Sequence, residues 1–313
     1  MTLPILAAID IGSNTIRLLV ASPMRNGFKR HLIQQKVTRL GEGLEPGEPL
    51  SPGAVTNTIE VLRDFQKKAL ASGAHVILAG ATSAVREAKG GQDFMSRVSD
   101  ELGLETLILT GKQEADLAAA GVISALPSVS NEALIFDLGG RSTEFIATED
   151  GHVLTSISLS LGAVALTESF LTLDPPALRQ LKALQDEVAK VLDQGLTQML
   201  KKVKPKILIG TAGTVTTLVA MVKKLTVYQP GLVHNRCLTR QDLEDLFKRL
   251  SALKAAERAS IPGLPEDRAD IIVAGTGVVL EIMKYIKTDQ LTVSDAGLLE
   301  GLWLVAAGQR RIA

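Results

Sequence analysis

The stretch ILAAIDIGSNTIRLLVASP, residues 5–23, runs an apolar segment into Asp10, turns through Gly12, Ser13 and Asn14, and leaves as a second apolar segment. Residues 133–151, ALIFDLGGRSTEFIATEDG, repeat the plan, with Asp137 at the strand end and Gly139 and Gly140 opening the turn. Aligned at the aspartates, D-I-G-S-N-T-I-R pairs with D-L-G-G-R-S-T-E, so Gly12 matches Gly139 and Asn14 matches Arg141. Taken singly, either turn reads as an ordinary β-hairpin, because Gly and Asn favour tight turns. Taken together, they place an acid before glycine and small hydroxyl residues twice in one chain. Backbone N–H groups that converge in such turns bind an anion, and a phosphate chain with a divalent cation suits acids placed beside them. A third glycine-rich turn, GTAGT at 210–214, adds donors around Gly213 and Thr214 where a helix begins.

Outward from these turns, strand signals alternate with helix signals. Residues 52–72 have helical spacing between Pro52 and Gly73; HVILAGA and ETLILTG read as strands, GQDFMSRVSDELG as a short helix, and a further helix runs from about Gln113 to Leu126. After the second turn come GHVLTSISLSLG, a helix near 163–172, and a long helix from beyond Pro176 to about Val203. ILIGTAGTVTTLVAMV is strand, turn and helix, and Thr239 with Asp242 forms a capping box that opens QDLEDLFKRL. RADIIVAGTGVVLEIMKYI reads as a buried helix, QLTVSD as a strand, and AGLLEGLWLVAAG as a closing helix. The pattern predicts an α/β protein with two duplicated domains, residues 1–127 and 128–297, divided at Pro127 and the polar SVSNE stretch. The closing helix, over about 298–313, is able to pack back on the first domain, which favours a core role for Leu298, Leu302 and Trp303.

Composition narrows the function classes. Lys+Arg and Asp+Glu both number 34, so the formal net charge is zero, which argues against general attraction to nucleic acid or membrane. The single cysteine, Cys237, leaves no internal disulfide and fits a reducing compartment. The four histidines are scattered without zinc-site spacing. The apolar run at the N-terminus has no basic flank and is cut short by Asp10, and no apolar run is long enough to span a bilayer. A cytoplasmic protein is the expectation.

Seven segments occur in order along nearly the whole chain: DIGSNTIRL, TSAVREA, TGKQEADLAAAGV, DLGGRSTE, SLSLGAVALTESF, GTAGTVTTL and VSDAGLLEGL. As an ordered set they resemble the exopolyphosphatase/guanosine pentaphosphate phosphatase family, in its short two-domain form. That resemblance implies two actin-like domains of the ribonuclease H-like (ASKHA) type with the active site in an interdomain cleft. It also implies a Mg²⁺ (or Mn²⁺) cofactor, polyphosphate or guanosine penta- or tetraphosphate as ligand, and a homodimer. By the resemblance, Glu114 matches the catalytic base, and Glu144 the acid that orients water or holds the metal alongside Asp10 and Asp137. Gly12, Ser13, Asn14, Gly139, Gly140, Arg141 and Ser142 match the phosphate-cradling turns, with Gly213 and Thr214 in the third. Arg17, Arg86 and Arg268 match phosphate contacts. Structural roles compete for three of these: a first-turn helix acid for Glu114, an internal ion pair for Arg17, and a partner to Glu266 and Asp267 for Arg268.

Two positions depart from the family pattern. Arg141 stands where relatives carry a third glycine. Asn tolerates positive φ better than Arg, so the loop is free to differ there. If the loop is kept, Arg141 offers a guanidinium to phosphate oxygens; the opposing reading has it fill the metal's place or block a long polymer. Gln113 replaces a second glutamate beside Glu114, removing one negative charge from the neighbourhood of a polyanion. The leading reading is an exopolyphosphatase using metal-assisted water attack, with guanosine pentaphosphate 5′-phosphohydrolase as the alternative. A non-catalytic alarmone- or polyphosphate-binding module and a kinase of the same superfamily are the readings from other classes.

Overall fold

Each acidic turn joins the first two strands of its own sheet. The computed structural model describes residues 4–24, 27–45, 47–126 and 132–311; the expected boundary at 127–131 lies outside them. One unit comprises residues 1–125 and 297–313, the other residues 126–296.

In the first unit the elements are β1 (Ile5–Ile11), β2 (Thr15–Pro23), β3 (Phe28–Val37), α1 (Pro52–Ala71), β4 (Ala74–Ala81), α2 (Ser83–Glu87), α3 (Gly91–Leu102), β5 (Glu105–Ile108) and α4 (Gly111–Ala125). The sheet order is β3-β2-β1-β4-β5: three antiparallel strands followed by two parallel additions. The second unit holds β6 (Ala133–Leu138), β7 (Thr143–Glu149), β8 (His152–Leu159), α5 (Ala163–Phe170), α6 (Leu178–Lys202), β9 (Ile207–Thr211) and α7 (Ala212–Val222). It continues with α8 (Pro230–Val233), β10 (Arg236–Thr239), α9 (Arg240–Ser251), α10 (Ala255–Arg258), a 3₁₀ turn (Glu266–Arg268), α11 (Ile272–Ile286) and β11 (Gln290–Val293). Its order, β10-β11-β9-β6-β7-β8, repeats the first plan and adds β10 antiparallel at one edge. Both sheets therefore have the strand order expected of a duplicated ribonuclease H-like α/β protein. Cys237 lies on β10, exposed. Among the described residues no helix is long and apolar enough to cross a membrane.

Alternation along each first strand decides where its acid lies. In β1, Ala7, Ile9 and Ile11 pack against α1 and α3, while Leu6 and Ala8 pack against α4 and the final helix α12 (Leu298–Ala306). Asp10 continues the Leu6–Ala8 row, and Arg17, opposite it in register, continues the Leu19–Ala21 row. In β6, Leu134, Phe136 and Leu138 enter the large core of their unit. Asp137 shares the other face with Ile135.

The final helix is built into the first unit's core. Trp303 is fully buried, its Nε1–H donates to the Leu6 carbonyl at 3.2 Å, and its ring lies 4.9 Å from that of Phe28. Glu300, also fully buried, accepts from the Gly297 N–H at 2.9 Å and from Arg30 Nη2 on β3 at 3.0 Å. Leu298 and Leu302 are buried in the same cluster. Trp303→Ala should therefore lower unfolding free energy by ~3–5 kcal/mol, as for other large-to-small core changes. Denaturant titration followed by far-UV circular dichroism checks this; a loss below ~1 kcal/mol would mark the helix as peripheral.

Candidate functional site

The two acidic turns close with the same backbone bond. Gly12 N–H donates to Thr15 O at 3.2 Å, and Gly139 N–H to Ser142 O at 2.9 Å. A Cβ at either glycine would lie 2.9 or 3.0 Å from the accepting carbonyl, which is why both positions are glycine. Neither Asn14 nor Arg141 has a positive φ, so an arginine in the third glycine's place strains no backbone.

A segment downstream of each hairpin ties back the carbonyls of its turn. In the first unit the amides of Thr38 and Arg39 both donate to Asn14 O at 3.0 Å, and Gly41 N–H donates to Ser13 O at 2.8 Å. In the second, the first amides of α5 do this work: Ala163 to Gly139 O at 3.0 Å, then Val164 and Ala165 to Gly140 O at 2.8 and 3.1 Å. Thr143 Oγ1 donates to Leu161 O at 2.6 Å, and the Cα of Gly162 lies so close to Arg141 that a Cβ would meet its backbone at 2.2 Å. A trans peptide points its N–H opposite to its C=O. Anchoring the carbonyls of Ser13, Gly139 and Gly140 therefore turns the N–H groups of Asn14, Gly140 and Arg141 away from the anchoring segment, the arrangement that receives an anion.

Beside the first turn, the TSAVREA segment supplies contacts from its first two residues and its arginine. Thr82 N–H donates to Ile11 O at 3.2 Å, and the hydroxyls of Ser83 and Ser13, both buried, lie 3.1 Å apart. Arg86 does not stand apart from Glu114: its Nη1 donates to Glu114 Oε2 at 2.9 Å and to Leu109 O at 2.7 Å. Glu114 is only 7% exposed, so this charged bond fixes a nearly buried carboxylate in one orientation. Gln113 has a local explanation. It is the third residue of a capping box, donating its N–H to Thr110 Oγ1 at 3.2 Å and accepting from Thr110 N–H through Oε1 at 3.0 Å, a role Gln and Glu perform alike.

Charge across the two hairpins differs. Asp10 lies opposite Arg17, whereas Asp137 lies opposite Glu144. Directly opposed side chains share a face with Cβ atoms about 4.5–5.5 Å apart, so the first pairing is attractive and the second brings two carboxylates together. Glu144 is buried, and its Oε1 accepts from Ser158 Oγ at 2.7 Å. Among the described residues no group of three or more His, Cys, Asp or Glu side chains is placed to hold a metal ion. The Asp137–Glu144 pair offers two hard oxygen donors, of the kind a divalent cation takes.

The third turn sits at the start of α7. Thr211 Oγ1 donates to Ala296 O at 2.9 Å, and Ala212 takes the left-handed region at φ +75. Arg268 is buried and its guanidinium lies flat against Gly213, where a Cβ would come within 1.9 Å of Nη1. A role in balancing Glu266 and Asp267 alone does not account for that burial. A guanidinium and the positive end of a helix both favour negative charge at this point. Tyr228 and His234, outside every motif segment, meet the VSDAGLLEGL segment here: buried Asp295 accepts from the Tyr228 hydroxyl, and His234 Nδ1 accepts from the Asp295 N–H at 3.2 Å. Ser158 opens the SLSLGAVALTESF segment, but its pairing with Glu144 depends on β7–β8 register, which that segment alone does not reveal.

Within the first unit, then, Gly12, Ser13 and Asn14 form one anchored turn, Asp10 and Arg17 oppose each other, and Arg86 joins Glu114. Within the second, Gly139, Gly140, Arg141 and Ser142 form the other turn, Asp137 opposes Glu144, and Arg268 joins Gly213 beside Thr214.

Residues 24–309 match the model of the Ppx/GppA phosphatase family. The chain is 32% identical over 322 residues to exopolyphosphatase 2 of Mycobacterium tuberculosis, covering 98% of this chain and all of that one. Among solved structures, the Ppx/GppA enzyme of Aquifex aeolicus superposes with a TM-score of 0.82 at 31% identity, over 97% of this chain and 100% of that chain. An exopolyphosphatase from Cytophaga hutchinsonii gives a TM-score of 0.89 at 27% identity, over 97% and 98%.

Gly162→Ala would force the second turn off its anchor and should cost ~1–3 kcal/mol of stability. Gln113→Glu keeps the capping box and should stay within ~0.5 kcal/mol of the parent. Denaturant titrations of the two variants test both statements.

Proposed function

The chain belongs to the Ppx/GppA phosphatase family, and on that premise we propose that it is an exopolyphosphatase, removing the terminal phosphate of inorganic polyphosphate by direct attack of water. The observation that carries this reading is the doubled turn, whose carbonyls are tied back while its amides are presented to an anion. Phosphoryl transfer needs an in-line nucleophile and neutralised oxygens more than it needs covalent chemistry from protein.

Glu114 is the proposed base. It orients the water and accepts its proton as the oxygen attacks the terminal phosphorus; the bridging P–O bond breaks and the shortened chain leaves with that oxygen. Arg86, bonded to Glu114 Oε2, holds the base in position. The anchored turns, with Arg141 and with Arg268 over Gly213, grip phosphate oxygens. Arg17, opposite Asp10, is assigned a phosphate contact as well. Asp137 and Glu144 would hold Mg²⁺ or Mn²⁺, with Asp10 the matching acid of the first unit, and the bound ion would neutralise phosphate oxygens. Arg141 has no positive φ, which supports a turn kept intact with a side chain in the third glycine's slot. Guanosine pentaphosphate has the same terminal bond. The ring of Tyr228, 47% exposed and tethered to Asp295, offers a base a stacking surface that composition alone does not suggest.

The test is phosphate release from long-chain polyphosphate and from guanosine pentaphosphate, with Mg²⁺ and after chelation. Glu114→Gln should lower kcat by roughly 10²–10⁴-fold, the usual worth of a general base, with KM within a few-fold. Arg141→Gly should raise KM about tenfold, the loss of one charged hydrogen bond. Unchanged turnover in Glu114→Gln would remove the base from Glu114; unchanged kinetics in Arg141→Gly would remove the phosphate contact from Arg141.

A further inference from the structure

Arg39 belongs to none of the seven motif segments, yet its backbone is part of the first turn's anchor. Its φ is +52, a left-handed conformation that long side chains enter at a cost. The conformation lets the chain double back and deliver three amides, from Thr38, Arg39 and Gly41, to the two carbonyls of Ser13 and Asn14. Glycine would serve that backbone without strain. Strain retained in favour of a large polar side chain, at a turn that presents amides to an anion, points to a use for the side chain.

The guanidinium remains accessible. Its Nη1 donates to Glu42 Oε1 at 3.2 Å in a pair whose side chains are 37% and 58% exposed, an arrangement worth little in water. Thr38 and Leu40, on either side, are buried, so the chain fixes where this arginine leaves the backbone while its outer end reaches solvent. Comparison of the turns sharpens the assignment. The second turn carries a guanidinium in the loop itself, at Arg141; the matching slot of the first is Asn14, whose carbonyl accepts the Arg39 amide. We propose that Arg39 is the phosphate-binding guanidinium of the first turn, the counterpart of Arg141, and that it exchanges its bond to Glu42 for oxygens of the polyphosphate chain. This assignment rests on the exopolyphosphatase reading.

Arg39→Gly separates the side chain from the backbone, because glycine keeps the left-handed conformation and should leave the thermal midpoint unchanged or raise it. With polyphosphate as substrate, KM should rise about tenfold while kcat stays within about twofold. Arg39→Lys should fall between the two, and Glu42→Gln, which removes the competing carboxylate, should lower KM. A purely structural role would move the midpoint and leave KM alone. Unchanged KM in Arg39→Gly overturns the proposal. If the parent protein releases no phosphate, the reading of the reaction has failed instead. Calorimetric titration with tripolyphosphate then judges Arg39 separately: weaker binding by Arg39→Gly supports the assignment, and equal binding overturns it.

Discussion

The structure depends on a constraint of the peptide plane. A turn that offers N–H groups to an anion must send its carbonyls the other way, and those carbonyls need donors of their own. Here the donors come from the segment downstream of each hairpin. The first unit uses the bend at Thr38–Gly41, and the second uses the first turn of α5. The solution is reached twice with different local structure, a strained bend in one unit and a helix start in the other. The first amides of α5 are thereby spent on the loop, so the helix acts as a clamp for the turn and its N-terminus does not itself serve as the anion site.

The duplicated scaffold carries an unequal distribution of charge. In each hairpin the strand-end aspartate faces the residue seven positions later, which is Arg17 in one unit and Glu144 in the other. An acid–base pair is self-compensating, whereas two acids on one sheet face call for a cation or for donors such as Ser158. In the proposed reaction Glu114, bonded to Arg86, serves as the base, and the opposed pair Asp137 and Glu144 is the one suited to a divalent ion. The proposed phosphate contacts fall on arginines, whose planar fork matches phosphate oxygens.

Much of this is legible in the sequence because it is local. Alternating apolar segments, the repeated Asp–x–Gly turn, and the caps at Pro52, Thr239 and Gly73 are properties of short windows, and the elements form where those windows place them. An arginine in the third glycine's slot suggests a strained loop only if those glycines are conformational necessities. The structure shows that the first glycine of each turn is required by a carbonyl close to its Cα instead. The contacts hidden from the sequence depend on distant partners. Arg86 meets Glu114 across 28 residues, Arg268 reaches Gly213, and Asp295 meets Tyr228 across 67 residues. Arg39 is invisible for another reason: its significance lies in a backbone angle, which residue type alone does not announce.

The proposal that these turns hold a phosphate chain for attack by water at its end can be tested by isotope. Polyphosphate would be hydrolysed in ¹⁸O-labelled water, and the released orthophosphate and the shortened chain examined by mass spectrometry. Attack on the terminal phosphorus places one solvent oxygen in each released orthophosphate and none in the shortened chain. Label in the chain ends, or unlabelled orthophosphate, would contradict direct water attack at the terminus and with it the role proposed for the doubled turn and its base.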